Sequence, residues 1–265
     1  MTTKFQIILV ALFAWATIIP NASATGQSGE RLFWDGKEYQ MLTCPLFDNP
    51  DLKQWHKQME KDWTSTDLWR GYVGHWSIEN GMLYLDSIAT SKTISPQDIP
   101  ELRKYCKNGR VAATWFSDTL RVVSGTRVQY EHFGFNRHYE HEDYIAVKNG
   151  KVVSVRRMEN KLLIKGNQEE KKFKQFCDDL GSQLHQRYPE VNGRILIQVQ
   201  YCDFDAQQMP TNVNVKYVHN APTNQQLAHE LEEKLSNYIL ANRVFPLYFI
   251  NGEYTQEKWT FPINL

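Results

Sequence analysis

No stretch of this 265-residue chain carries a block of like charge, and its 30 Lys and Arg balance 30 Asp and Glu. Proteins that grip a phosphate backbone gather cations on one face, so the balance argues against nucleic acid as a partner. No C-x-x-C pair occurs, and the spacing of Cys44, Cys106, Cys177 and Cys202 argues against zinc. G-x-S-x-G, H-E-x-x-H and phosphate-cradling glycine loops are also missing, which removes the common signatures of hydrolases, zincins and nucleotide binders. Internal repeats and low-complexity tracts are absent. The one long apolar run, Phe5 to Ile19, falls short of the ~20 residues of a spanning helix, and Pro20 ends it.

That run supplies an address. Lys4 precedes it, and Ala22-Ser23-Ala24 offers the small residues that a signal peptidase accepts. No cysteine follows at which a lipid could be attached. The expectation is a signal peptide over residues 1–24 and a periplasmic or otherwise exported protein with no transmembrane span after cleavage. An uncleaved anchor is the rival. The remaining residues, about 240, suit two modest domains. An even cysteine count in an exported chain allows pairing, here Cys44–Cys106 and Cys177–Cys202, or four unpaired buried thiols.

From Gly71 to about Glu159 the pattern is strand, turn, strand. "WSIENGMLYL" alternates around Asn80-Gly81, and "DYIAVKNGKVVSV" around Asn149-Gly150, both pairs suited to two-residue hairpin turns. "RVAATWFSDTLRVV" reads as one or two more strands, followed by a turn at Ser124-Gly125. Helices are predicted from the Asn49 cap with Pro50, and from Ser95 to about Gly109. Beyond Gly166 come a helix carrying Phe173, Phe176, Leu180 and Leu184, two strands, a helix capped at Thr223, a hairpin at Asn251-Gly252 and a terminal strand. The fold class expected is α+β: a β-rich antiparallel domain of about six strands over 25–165, then a small α+β domain over 166–265.

The last third carries Tyr188-Pro189-Glu190, Gly193 with "RILIQVQY", "NVNVKYV", a helix, and the closing "WTFPINL". In this order the segment from Tyr188 to Leu265 resembles the C-terminal domain of TonB. The resemblance implies a helix on a short antiparallel sheet. It also implies binding of extended segments of outer-membrane transporters, partly by strand addition. Pro262 cannot donate to a ladder, which suits an edge strand, and Trp259, Phe261 and Pro262 become binding candidates. "DFDAQQMPT" is longer than the family's turn and lacks its glycine, and no long Pro-rich spacer precedes the domain. A borrowed docking module is therefore expected in place of energy coupling. The N-terminal half is similar to an uncharacterised bacterial exported family through Ser65-Thr66, Trp69-Arg70-Gly71-Tyr72, "WSIENGMLYL", Tyr130-x-His132-x-Gly134 and Tyr139-Glu140. No activity comes with that likeness.

"YEHFGFNRHYEHEDYIAV", Tyr130 to Val147, packs three histidines and four acidic residues. With an even turn, His132, His141 and Asp143 share a face and could hold Zn²⁺ or Fe²⁺, or His132 and Tyr139 satisfy each other by hydrogen bonding. With an odd turn, His132 instead joins His138, Glu140 and Glu142. A structural hairpin is the preferred reading, with no metal or cofactor. Glu131, Glu140 and Glu142 are the carboxylates available for glycoside hydrolysis. Trp76 and Trp115 are expected in the core, and Trp69 and Tyr72 at the surface flanking Arg70. The function expected is non-enzymatic: docking of an envelope protein or peptide segment. An enzyme centred on His132 and a carbohydrate-binding module are the alternatives.

Overall fold

In five of the chain's six Asx-Gly pairs both residues adopt positive φ: Asp35-Gly36, Asn80-Gly81, Asn108-Gly109, Asn149-Gly150 and Asn251-Gly252. This conformation matches the right-handed twist of the flanking strands, so each pair closes a hairpin. The computed structural model describes residues 26–62, 65–166 and 170–265, and the expected signal peptide lies outside them.

The first hairpin joins β1 (Glu30–Trp34) to β2 (Lys37–Met41). After a helical turn and α1 (Lys53–Met59) come β3 (Val73–Glu79) and β4 (Met82–Ala89). Three short strands follow, β5 (Thr93–Ile94), β6 (Cys106–Lys107) and β7 (Arg110–Ala112), then the long β8 (Thr119–Tyr130), β9 (Arg137–Lys148) and β10 (Lys151–Glu159). The order β10-β9-β8-β2-β1-β3-β4 closes on itself because β10 pairs with β4 at Lys151 and Met82. Leu83 N donates to Gly150 O at 2.9 Å and Val152 N to Gly81 O at 2.8 Å across the seam. The result is a seven-stranded closed barrel, a solution that leaves no unpaired edge along those strands.

An antiparallel meander was expected here, and the sheet is mixed. β1 runs parallel to β3, Leu32 opposite Trp76, because the β1–β2 hairpin inserts between β3 and β8. Parallel neighbours need a crossover, which the segment bearing α1 supplies. Two further expectations are corrected. Ser124-Gly125 makes no turn: it lies within β8, where Gly125 takes φ +80°. The segment from Ser95 forms only 3₁₀ turns, Pro96–Asp98 and Pro100–Tyr105, and Ser95 makes no side-chain cap. Pro100 forces the preceding Ile99 into an extended conformation, which divides the helix. Asn49, by contrast, caps its turn by accepting from Asp51 N at 3.0 Å.

By contacts the chain divides into two compact units: Met1–Val122 with Tyr130–Arg137 and Tyr144–Val155, and Val123–Gln129 with His138–Asp143 and Arg156–Leu265. The first unit's core includes Leu32, Trp76, Leu83, Leu85, Val122 and Ile145.

The second unit holds β11 (Lys161–Ile164), α2 (Glu170–Arg187), β12 (Arg194–Phe204), β13 (Pro210–His219) and α3 (Gln225–Asn242). It ends with β14 (Leu247–Ile250), β15 (Glu253–Thr255) and β16 (Trp259–Asn264). β13-β12-β16 form one antiparallel sheet and β11-β14-β15 another. Ile195, Ile197, Val199 and Tyr201 alternate onto the buried face of β12, and α3 buries Leu227, Leu231, Leu235 and Ile239 in the same core. The cap of α3 is Asn224, one residue beyond the expected Thr223; its side chain accepts from the amides of Gln226 and Leu227.

Candidate functional site

The site begins with the register of the last strand. Gly193 and Leu265 exchange both main-chain bonds, at 3.3 and 2.9 Å. Antiparallel pairs alternate between bonded and non-bonded, and β12–β16 runs Arg194–Asn264, Ile195–Ile263, Leu196–Pro262, Ile197–Phe261, Gln198–Thr260. The main-chain groups of Phe261 and Ile263 therefore turn toward β12, and those of Thr260, Pro262 and Asn264 turn away. Pro262 occupies an outward position, so its missing N–H costs the ladder nothing. Within the described residues β16 has no second strand beside it.

A groove of about 740 Å³ runs along this rim. β16 contributes Trp259 to Pro262 and Asn264, α2 contributes Phe173, Lys174, Cys177 and Asp178, and Phe245-Pro246 and Lys165-Gly166 close one end. Its floor is aromatic. Phe245 stacks on Trp259 with centroids 4.9 Å apart, and Phe173 sets its edge to Phe261 at 4.8 Å and to Phe245 at 5.4 Å. Such contacts add about 0.5–1.5 kcal/mol each beyond burial, which holds the floor rigid. The Trp259 indole Nε1 is buried and has no hydrogen-bond partner among the described residues. Burial pushes the Cys177 thiol up to about 12, so it lines the groove as an inert apolar group.

α2 meets the far end of the rim at Gly181. A Cβ there would overlap the carbonyl oxygen of Asn264, so only glycine lets the helix lie this close. Short of that end, the N–H and C=O of the exposed Thr260 and the C=O of Pro262 point outward along the rim.

Of the residues singled out from sequence, Trp259, Phe261 and Pro262 come together in this groove. Trp69, Arg70 and Tyr72 do not form a surface patch. Trp69 is exposed, its edge against Phe47 at 5.2 Å, but Tyr72 and Arg70 are buried, which corrects the surface position expected for Tyr72. Arg70 Nε lies 3.6 Å from the buried Glu30 carboxylate, and its Nη2 donates to Ser28 O at 2.9 Å. The pair fastens the loop before β3 to the start of β1.

The histidine-rich segment runs from the end of β8 through a tight tip into β9. Glu131 N donates to Asn136 O at 2.8 Å around its tip. His132 is exposed and packs on Tyr130 at 4.7 Å, so the expected burial against Tyr139 is not found. His141 pairs with Glu159 at 2.8 Å and Asp143 with Arg157 at 3.3 Å, both across to β10. No group of three His, Cys, Asp or Glu among the described residues is placed to hold a metal ion. The three carboxylates are engaged as well: Glu131 with Asn136, Glu140 with the Thr126 amide, and Glu142 with His138 and the Tyr139 amide.

All four cysteines are unpaired, which overturns the proposed disulfides. Cys177 faces the core from α2, whereas Cys202 falls on the opposite face of β12 from Val199 and Tyr201. Cys44 hydrogen-bonds the Glu30 carboxylate, and Cys106 sits on the β6 hairpin. No family model, curated protein or solved structure matches the chain.

Proposed function

We propose that this chain is an exported, periplasmic binding protein whose second unit docks an extended segment of an envelope protein by adding it to β16, in the manner of TonB C-terminal domains. The observation that carries this reading is the row of outward main-chain groups on Thr260 and Pro262 beside an aromatic floor. Each main-chain bond made there contributes roughly 0.5–1.5 kcal/mol, and each apolar side chain laid on the floor about 1.5–3 kcal/mol. A guest a few residues long thus gathers useful affinity from both sources. No chemistry is required of the groove. Its titratable groups lack the nucleophile and base pairing that a covalent step needs. A role beside outer-membrane transport follows from the TonB likeness and the export signal together.

Thr260→Pro tests the reading without disturbing the β12 ladder, because the N–H it deletes points away from β12. A photo-reactive residue at position 262 should crosslink one partner segment in envelope extracts, identifiable by mass spectrometry. Thr260→Pro should weaken that adduct while leaving the chain folded. An adduct indifferent to Thr260→Pro would set the rim aside.

A further inference from the structure

The stretch that resembles TonB begins at Tyr188, whereas α2, which walls the groove, and the Lys165-Gly166 corner at its end both precede it. Resting on the docking reading above, we infer that α2 narrows the β16 rim into a slot for a single extended segment in which acidic residues flank apolar ones. The same wall bars a second copy of this chain from pairing along the whole of β16.

Two observations carry this. The first is steric. Gly181 brings the α2 backbone against the carbonyl of Asn264, so the rim is closed at its end and a strand can pair only along Thr260 and Pro262. Antiparallel pairing of β16 with its own copy along the whole strand would need the rim through Asn264 on both strands, and each α2 stands at that position. A lone chain two or three residues wide at the rim meets no such obstacle.

The second is electrostatic. Three cations line the groove, Lys165, Lys174 and Arg194, against two anions, Asp178 and Glu257. None of the three cations makes an ion pair within the described residues, although surface cations elsewhere in the unit do, as Arg187 with Glu230 at 2.7 Å. Phe173 stands next to Lys174 on α2, and Phe245 lies near Lys165 at the closed end, so apolar floor and basic flank adjoin. An occupant whose carboxylates reach Lys165 and Lys174 neutralises the excess cation while its apolar side chains lie on Phe245, Trp259 and Phe261. Opposite charge across such a rim sets the choice of partner more than the total affinity.

The test uses the full chain and two blocked, fluorescein-labelled octapeptides, Gly-Glu-Thr-Phe-Thr-Phe-Glu-Gly and the same peptide with Lys for Glu. Fluorescence anisotropy should show the acidic peptide binding about tenfold tighter at low salt, with the preference shrinking in roughly 0.5 M NaCl. Lys165→Glu with Lys174→Glu, both at exposed positions, should invert the order. Equal affinity for the two peptides, lost in Thr260→Pro, would overturn the charge selection and leave docking standing. Binding of neither peptide would overturn both. Dimers in sedimentation that Thr260→Pro disperses would show a second copy in the slot and overturn the exclusion.

Discussion

The indole Nε1 of Trp76 donates to Oε2 of Glu30 at 2.5 Å inside the barrel, and both residues are sealed from solvent. Gly74 lies beside this bond. A Cβ on it would fall 2.5 Å from the Trp76 nitrogen and 2.8 Å from Glu30 Oε2. Glycine at 74 is therefore a packing requirement of the pair. Gly74→Ala should cost about 1–3 kcal/mol, the usual range for overfilling a tight core. Urea denaturation of the purified chain measures it; an unchanged midpoint would mean that the pair tolerates a displaced indole.

Burial raises the Glu30 carboxyl to about 7, above its ordinary 4.5, although Arg70, Trp76 and the Gly74 amide all pull it down. Between pH 4.5 and 7 the folded chain therefore holds a proton that the unfolded chain has released. Stability contributed by this group is complete below pH 4.5 and falls as pH rises to 7, by roughly 3 kcal/mol at about 1.36 kcal/mol per unit. Glu30→Gln should remove this slope. The difference between the two proteins, followed by denaturation from pH 4.5 to 8, should shrink in that direction. A wild-type advantage that grows with pH would reverse the sign and refute the assignment.

Gly181→Ala should lift α2 from β16, again for about 1–3 kcal/mol, and loosen the groove. Amide exchange at Ile263 and Leu265 should accelerate before the rest of the sheet. A variant with native stability and unaltered exchange would show that the helix does not rest on the Asn264 carbonyl.

Thiol titration of the unfolded, unreduced chain should return all four cysteines, since none is paired in the structure. In the folded chain Cys44 and Cys177 should react slowest, since burial pushes both thiols up. A count of two thiols would reinstate one disulfide.

Local turn chemistry was the most readable feature of the chain. Asn80-Gly81, Asn149-Gly150 and Asn251-Gly252 announce their hairpins because positive φ is rare outside such residues. Asp35-Gly36 carries the same signal, and reading it would have revealed β1 and β2. Barrel closure was not readable, since the single Lys151–Met82 pairing joins strands remote in sequence, and the parallel β1–β3 contact is equally non-local. Arg70 and Tyr72 looked like loop residues because nothing local announces the buried Glu30 that Arg70 answers. In the second unit the order of residues marked Trp259, Phe261 and Pro262. The wall that α2 raises beside them depends on Gly181, whose role appears only when helix and strand meet.

The most direct measurement is the exchange rate of the Thr260 amide in the full chain, by NMR, with and without the acidic octapeptide. Pairing on the rim predicts that this outward N–H becomes strongly protected, while the Phe261 amide, already bonded to β12, changes little. A peptide that binds and leaves Thr260 exchanging as fast as before would contradict docking by strand addition.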